Sequence, residues 1–117
     1  MTNTIATVVE TYLAAWNEPD PERRRALVGS AWTEDGTYLD PLMSGSGTEG
    51  IAEMIGAAQT QFPGHRFVLA AGPDAHNDVA RFSWTLNGAD GPVARGTDFA
   101  EVGVDGRLRS VTGFLDG

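Results

Sequence analysis

Three polar side chains stand where an apolar pattern would place something else: Tyr12, Asp40 and Asp98. Two carboxyls and a phenol are the parts of an acid–base site. One group moves a proton while others hold the charge that develops. Asp98 is the most informative of the three. It lies in a stretch from Pro92 to Val104 that alternates with strand period. One parity carries Val93, Arg95, Thr97, Phe99 and Glu101; the other carries Ala94, Gly96, Asp98, Ala100, Val102 and Val104. The second set is small and apolar, so it should face a core or a pocket. A carboxylate there loses water and must be paired, hydrogen-bonded or protonated. An Asp in mid-strand on an apolar face is uncommon, which points to function. The alternative is that Asp98 bonds a neighbouring hydroxyl or arginine and only shapes the sheet.

Tyr12 lies on an apolar helical face, where its ring packs and its hydroxyl needs a partner once buried. Read alone, it is a core tyrosine with a satisfied hydroxyl. Asp40 precedes Pro41, and Asp before Pro is ordinary turn chemistry. Alternation puts Asp40 on the side of Tyr38, opposite Thr37 and Leu39. Trp16 follows Tyr12 by one helical turn and can line a pocket or fill a core. His65 and His76 flank a strand with no third ligand at useful spacing, so no metal is expected.

The elements that must position these residues fall into two halves. In the front half, Ile5, Val8, Val9, Tyr12, Leu13 and Trp16 follow helical spacing, and Asn17 and Pro19 end that helix. Asp20-Pro21-Glu22 reads as an N-cap, a first-turn proline and an acidic first turn, opening a short helix that stops at Gly29. Thr37 to Asp40 is a short strand. Thr48 caps a third helix whose apolar face is Ile51, Met54, Ile55, Ala58 and Phe62, closed by Pro63-Gly64. The back half reads as strands: His65 to Ala71 before a Gly-Pro-Asp break, Val79 to Leu86, Pro92 to Val104, and Arg107 to Leu115 after the hairpin signal Asp105-Gly106. Helices in front and a meander behind give an α+β domain, with helices packed on one face of an antiparallel sheet.

Composition narrows the function. The 117 residues suit one domain, 1–117. With 16 acidic and 8 basic side chains and a net charge of −8, the chain repels nucleic acid on average. It has no cysteine, hence no disulfide and no thiolate metal site, which fits a cytoplasmic setting. Met1-Thr2-Asn3-Thr4 shows no basic, apolar leader pattern, and no apolar run is long enough to span a bilayer. The glycines show no phosphate-cradling pattern. The expected partner is an apolar small molecule.

At the singled-out residues the chain resembles a known family. Glu10-Thr11-Tyr12-Leu13-Ala14-Ala15-Trp16-Asn17 is similar to the first helix of bacterial steroid Δ-isomerases (ketosteroid isomerases). Gly36-Thr37-Tyr38-Leu39-Asp40-Pro41, followed by Gly47-Thr48-Glu49-Gly50-Ile51, resembles the segment that carries their general base. Gly96-Thr97-Asp98-Phe99 lies where they place a second aspartate. The broader nuclear-transport-factor-2-like superfamily, with SnoaL-like polyketide cyclases and limonene epoxide hydrolase, has the same layout of helices and strands, and the resemblance implies N-terminal helices packed on a curved antiparallel sheet enclosing one pocket (a cystatin-like cone). The resemblance implies Asp40 as base, Tyr12 and Asp98 as oxyanion donors, and no cofactor. It also implies a homodimer. A pocket wall is expected from Trp16, Tyr38, Met54, Phe82, Trp84 and Phe114. Ile55 stands where the isomerases often have a supporting tyrosine, and Trp84 is larger than the usual wall residue and would narrow the cavity.

The expected function is therefore an isomerase or cyclase acting on an apolar carbonyl compound. Two alternatives stay open. One is a non-catalytic ligand-binding or dimerisation module. The other is a water-activating hydrolase, in which a polar residue from another strand reaches Asp98 and holds a water.

Overall fold

The computed structural model describes residues 4–116. The reading of the first residues as carrying no leader falls on Met1–Asn3, outside the described residues. Two helices come first, α1 (Ile5–Asn17) and α2 (Pro21–Ala31), and a third, α3 (Gly47–Gln61), follows two strands. The strands are β1 (Trp32–Leu39), β2 (Ser44–Ser46), β3 (Arg66–His76), β4 (Val79–Gly88), β5 (Gly91–Val102) and β6 (Leu108–Leu115). They form one curved sheet in the order β2-β1-β6-β5-β4-β3.

Local chemistry accounts for the helix starts. Thr4 caps α1 by accepting from the Thr7 N–H at 3.2 Å. Asp20 caps α2 by accepting from the Arg23 N–H at 2.9 Å, with Pro21 in the first turn. That helix runs past Gly29 to Ala31, because Val28 and Ala31 bury against the core and extend it. Thr48 does not cap α3. The cap position is Ser46, whose side chain makes no capping bond, and Gly47 enters the helix at φ 72°, a conformation glycine adopts without strain.

The buried side of α1 is Val8, Val9, Tyr12, Leu13, Ala15 and Trp16; that of α3 is Ile51, Ala52, Met54, Ile55 and Ala58. Both pack with Trp32, Phe82, Trp84, Leu108 and Val111 of the sheet into one core. Arg24 is buried between helices. It donates to the Glu18 and Pro19 carbonyls and to Gln59 Oε1 at 2.9–3.1 Å, tying α2 to the α1–α2 turn and to α3.

The sheet differs from the expected meander in three ways. Strands β3 to β6 are an antiparallel meander, but β1 pairs with β6 in parallel. The sheet is therefore mixed. A strand that returns to its partner across the whole chain is free to run either way, and its orientation leaves no local signature. Strand β1 starts at Trp32, five residues before Thr37, with a register shift between the two that absorbs Asp35-Gly36. Strand β3 runs through the Gly-Pro-Asp break to His76, with register shifts flanking Ala71.

Candidate functional site

Alternation in β5 settles the surroundings of Asp98. Gly96, Asp98 and Ala100 are buried, whereas Val93, Arg95 and Phe99 are exposed on the outer face. Asp98 is 1% exposed. The hydroxyl of Tyr12, arriving from α1, donates to its Oδ2 at 2.6 Å. The indole N–H of Trp84, from the neighbouring strand β4, donates to Oδ1 at 3.1 Å. Trp84 reaches that far because it lies across Gly96, its cross-strand partner. A β-carbon at Gly96 would stand 2.3 Å from the indole. The Tyr12 ring is held between Trp32 and Phe82, at centroid distances of 4.9 and 5.3 Å.

Asp40 follows the end of β1. Its backbone N–H donates to the Met43 carbonyl at 2.9 Å, and its Oδ1 accepts from the Leu42 and Met43 N–H groups at 2.8 and 2.9 Å. This is the turn role that Asp-Pro suggests, and it fixes the carboxyl. Its Oδ2 accepts the Tyr38 hydroxyl at 2.6 Å. An ionised carboxyl offers about four lone pairs, so one on Oδ2 stays available.

The two carboxyl–phenol pairs meet at Gly113. This residue pairs with Asp98 across β5–β6. A β-carbon there would come 2.9 Å from Asp98 Oδ1, 3.1 Å from the Tyr38 hydroxyl and 3.2 Å from the Asp40 β-carbon. Only glycine leaves that meeting point open. It escapes a sequence reading because register, which sets Gly113 opposite Asp98, is a tertiary property. The available signal was a glycine inside a strand run, which often marks close approach.

Burial raises Asp98 from 3.8 to about 6; the Tyr12 and Trp84 donations pull it down and the nearby Asp40 charge pushes it up. Burial is also the main cause that pushes both phenols, Tyr12 and Tyr38, well above the ordinary range, so both remain donors.

These groups open into a cavity of about 120 Å³ walled by Leu13, Trp16, Phe67, Trp84, Leu86 and Ala94 among others. Its mouth carries the exposed side chains of Leu42, Phe62 and Leu115. A cavity of about 150 Å³ holds benzene. This one is somewhat smaller, so its enclosed part is no larger than a single ring.

Of the expected residues, Tyr12, Asp40, Asp98, Trp16, Tyr38 and Trp84 line this cavity. Three others do not. Phe82 faces inward but lies beneath Tyr12 as a core residue, 2% exposed. Met54 lines a separate groove beside Met43 and Gln61. Phe114 alternates with inward Gly113 and is 58% exposed on the outer face, so it cannot reach the cavity. Trp84, expected as an apolar wall, is also a hydrogen-bond donor to Asp98. Among the described residues, no cluster of His, Asp or Glu is grouped to hold a metal, and no helix is long and apolar enough to cross a membrane.

Helices laid over a curved sheet with one buried acid–phenol cavity define the cystatin-like α+β cone as the class of this protein. A model of the SnoaL-like domain family matches residues 9–111, and the chain belongs to that family. A SnoaL-like protein from Agrobacterium tumefaciens, classed provisionally as an isomerase, is 57% identical, with a TM-score of 0.90 and coverage of 96% of this chain and 97% of that one. An NTF2-like protein of unknown function from Mesorhizobium loti is 22% identical at a TM-score of 0.72, covering 97% and 91%. A SnoaL-like protein from Jannaschia, classed provisionally as a polyketide cyclase, is 17% identical at 0.70, covering 93% and 85%. The last two share the fold. No protein of curated function matches the chain.

Proposed function

We propose that this protein is an acid–base isomerase or cyclase of an apolar carbonyl compound. Asp40 is the base, and Tyr12, backed by Asp98, holds the oxygen on which charge develops. One observation carries the reading: two carboxyls share one cavity, each bonded to its own phenol, in different surroundings. Asp98 is enclosed and shifted to about 6. Asp40 sits half-buried in a turn near the mouth. Two carboxyls held apart in this way can divide the acid and base roles.

Asp40 Oδ2 takes a proton from the carbon beside the carbonyl. The C–H electrons form a carbon–carbon double bond and the C=O electrons move to oxygen. Tyr12 meets that oxygen. When Asp98 is protonated on Oδ2, its O–H donates to the Tyr12 oxygen and the phenolic hydrogen turns to the substrate. Return of the proton to a carbon farther along an unsaturated chain gives the isomer. Attack of the enolate carbon on a second carbonyl of the same molecule, whose π electrons move to its oxygen and take the proton back from Asp40, gives the cyclised product. Removing one such donor typically raises the barrier by roughly 3 kcal/mol.

A second reading, a non-catalytic ligand pocket, draws on the same pairings: each carboxyl is already answered by a phenol. The hydrolase reading has less support. The group reaching Asp98 from another strand is the Trp84 N–H, which can only donate, and Arg95 is exposed on the outer face. The homodimer belongs to the same proposal, with the outer face bearing exposed Val93, Phe99 and Phe114 as its interface.

The test is conversion of cyclohex-3-enone, the reacting ring of a 3-ketosteroid, to its conjugated isomer, followed by ultraviolet absorbance. Wild type turns over, and Asp40→Asn loses about 10²- to 10⁴-fold. Equal rates in the two proteins would remove Asp40 as base. No turnover by wild type would favour the binding pocket.

A further inference from the structure

The reaction above leaves one buried polar group of the cavity unused. Of the three indole N–H groups, that of Trp32 reaches the Thr37 carbonyl at 3.3 Å and that of Trp84 reaches Asp98 at 3.1 Å. Trp16 Nε1 has no acceptor among the described residues, although Trp16 is 5% exposed and lines the cavity. Buried donors are rarely left unpaired, and one in a cavity wall calls for an acceptor on a ligand.

Trp16 lies one helical turn beyond Tyr12 on α1, with ring centroids 6.3 Å apart. Trp16 packs on Tyr38 and Phe67, at centroid distances of 5.3 and 5.2 Å, in the wall that Tyr12 also lines. Two residues of the cavity wall, adjacent on one helix face, thus carry donors. An indole N–H can only donate, so the ligand atom there must accept. A carbonyl oxygen has two lone pairs for two donors. A carboxylate would meet Asp98 and Asp40 in an apolar enclosure, where like charges repel strongly.

We propose that Trp16 Nε1 is a direct donor to the ligand's oxygen, beside Tyr12, and that the cavity takes small neutral ketones or aldehydes of one ring or a short chain. The inference rests on the proposed function for the cavity as ligand site, but does not need Asp40 to be a base. Size supports it: about 120 Å³ admits one ring.

The experiment is a titration of ¹⁵N-labelled protein with cyclohexanone, read at the three indole N–H resonances. Methylenecyclohexane, which has the same shape without the oxygen, is the control. Cyclohexanone should move the Trp16 indole proton downfield and the hydrocarbon should not. Trp16→Phe should bind cyclohexanone about tenfold more weakly and the hydrocarbon about equally. Trp16→Phe also loses ring packing on Tyr38 and Phe67, so the wild-type resonance keeps the test independent of the variant's folding. Equal movement with both compounds, or no binding of cyclohexanone, would overturn the inference. Cyclohexanone has no double bond to move, so a Trp16 response without isomerase activity on the enone would support this inference while removing the base.

Discussion

Replacing Asp98 by asparagine isolates the one carboxyl that the fold encloses. In the unfolded chain this group titrates near 3.8, and in the folded protein at about 6, because burial disfavours its charge. Between these values the folded protein holds a proton that the unfolded chain has released. Stability is therefore fully present below about pH 4, falls as pH rises through 6, and is level above it. At about 1.4 kcal/mol per pH unit, the loss is roughly 3 kcal/mol. Asp98 is 1% exposed, so solvent screening leaves most of that in place.

Asparagine cannot ionise, but it keeps the geometry. Its Oδ1 accepts from Trp84, and its amide donates to the Tyr12 oxygen, as the protonated acid would. Asp98→Asn should therefore match wild type near pH 4 and exceed it by roughly 3 kcal/mol at pH 7.5, or about 10 °C in Tm for a chain of this size. Urea unfolding of both proteins across pH 4–8 checks this, and the difference between the curves cancels the other carboxylates. A difference that stays flat with pH would show that Asp98 does not carry an elevated pKa. A variant less stable at every pH would show that the carboxylate, not the acid, is the form the fold accommodates. Kinetics offers a second view. If Tyr12 serves the substrate only while Asp98 is protonated, wild-type kcat/KM should fall as pH rises through about 6, and Asp98→Asn should keep its rate there.

Further outcomes follow from the same contacts. Trp84→Phe removes a donor that holds Asp98 down, so the alkaline fall in kcat/KM should move to higher pH; an unmoved limb would disconnect Trp84 from the acid. Gly113→Ala places a β-carbon 2.9 Å from Asp98 Oδ1, which should cost about 1–3 kcal/mol in unfolding free energy and abolish turnover. A stable, active Gly113→Ala would mean that the two carboxyl pairs do not need to meet. Tyr38→Phe removes a charge-assisted bond to Asp40 worth about 1.5–3 kcal/mol, and should lower Tm while retaining cyclohexenone turnover, since Asp40 keeps both backbone donors. Loss of turnover would make Tyr38 itself part of the proton path.

What the sequence reveals of this site depends on how far each signal reaches along the chain. The period of two around Asp98 is local, and it places the carboxyl on the inner face without any knowledge of the neighbours. The helical spacing of Tyr12 and Trp16 is equally local, and so is the Asp20-Pro21 cap. Pairing is not local. That β1 runs parallel to β6, that Gly113 stands opposite Asp98, and that Phe114 therefore faces outward all depend on register between strands far apart in sequence. Phe114, expected in the wall, is placed on the outer face by a one-residue parity. Phe82 shows the subtler case. Its parity is right, but Tyr12 lies over it, so it supports a functional group without touching the cavity.

The same distinction explains why glycines, not polar residues, were the hidden parts of the site. A polar residue on an apolar face announces itself by breaking a pattern. Gly96 and Gly113 signal less: a glycine inside a strand marks a close approach but does not say of what. Their contribution is the space they leave. Without the gap at Gly96, Trp84 could not lie across β5 to reach Asp98, and without the gap at Gly113, Asp98 and Tyr38 could not face one another. The acid–base cluster is thus specified by two kinds of position: side chains that bring the chemistry, and glycines that let strands β4, β5 and β6 carry it into one cavity. In the proposed function, the first kind would set the reaction class and is readable early. The second sets the space those side chains share.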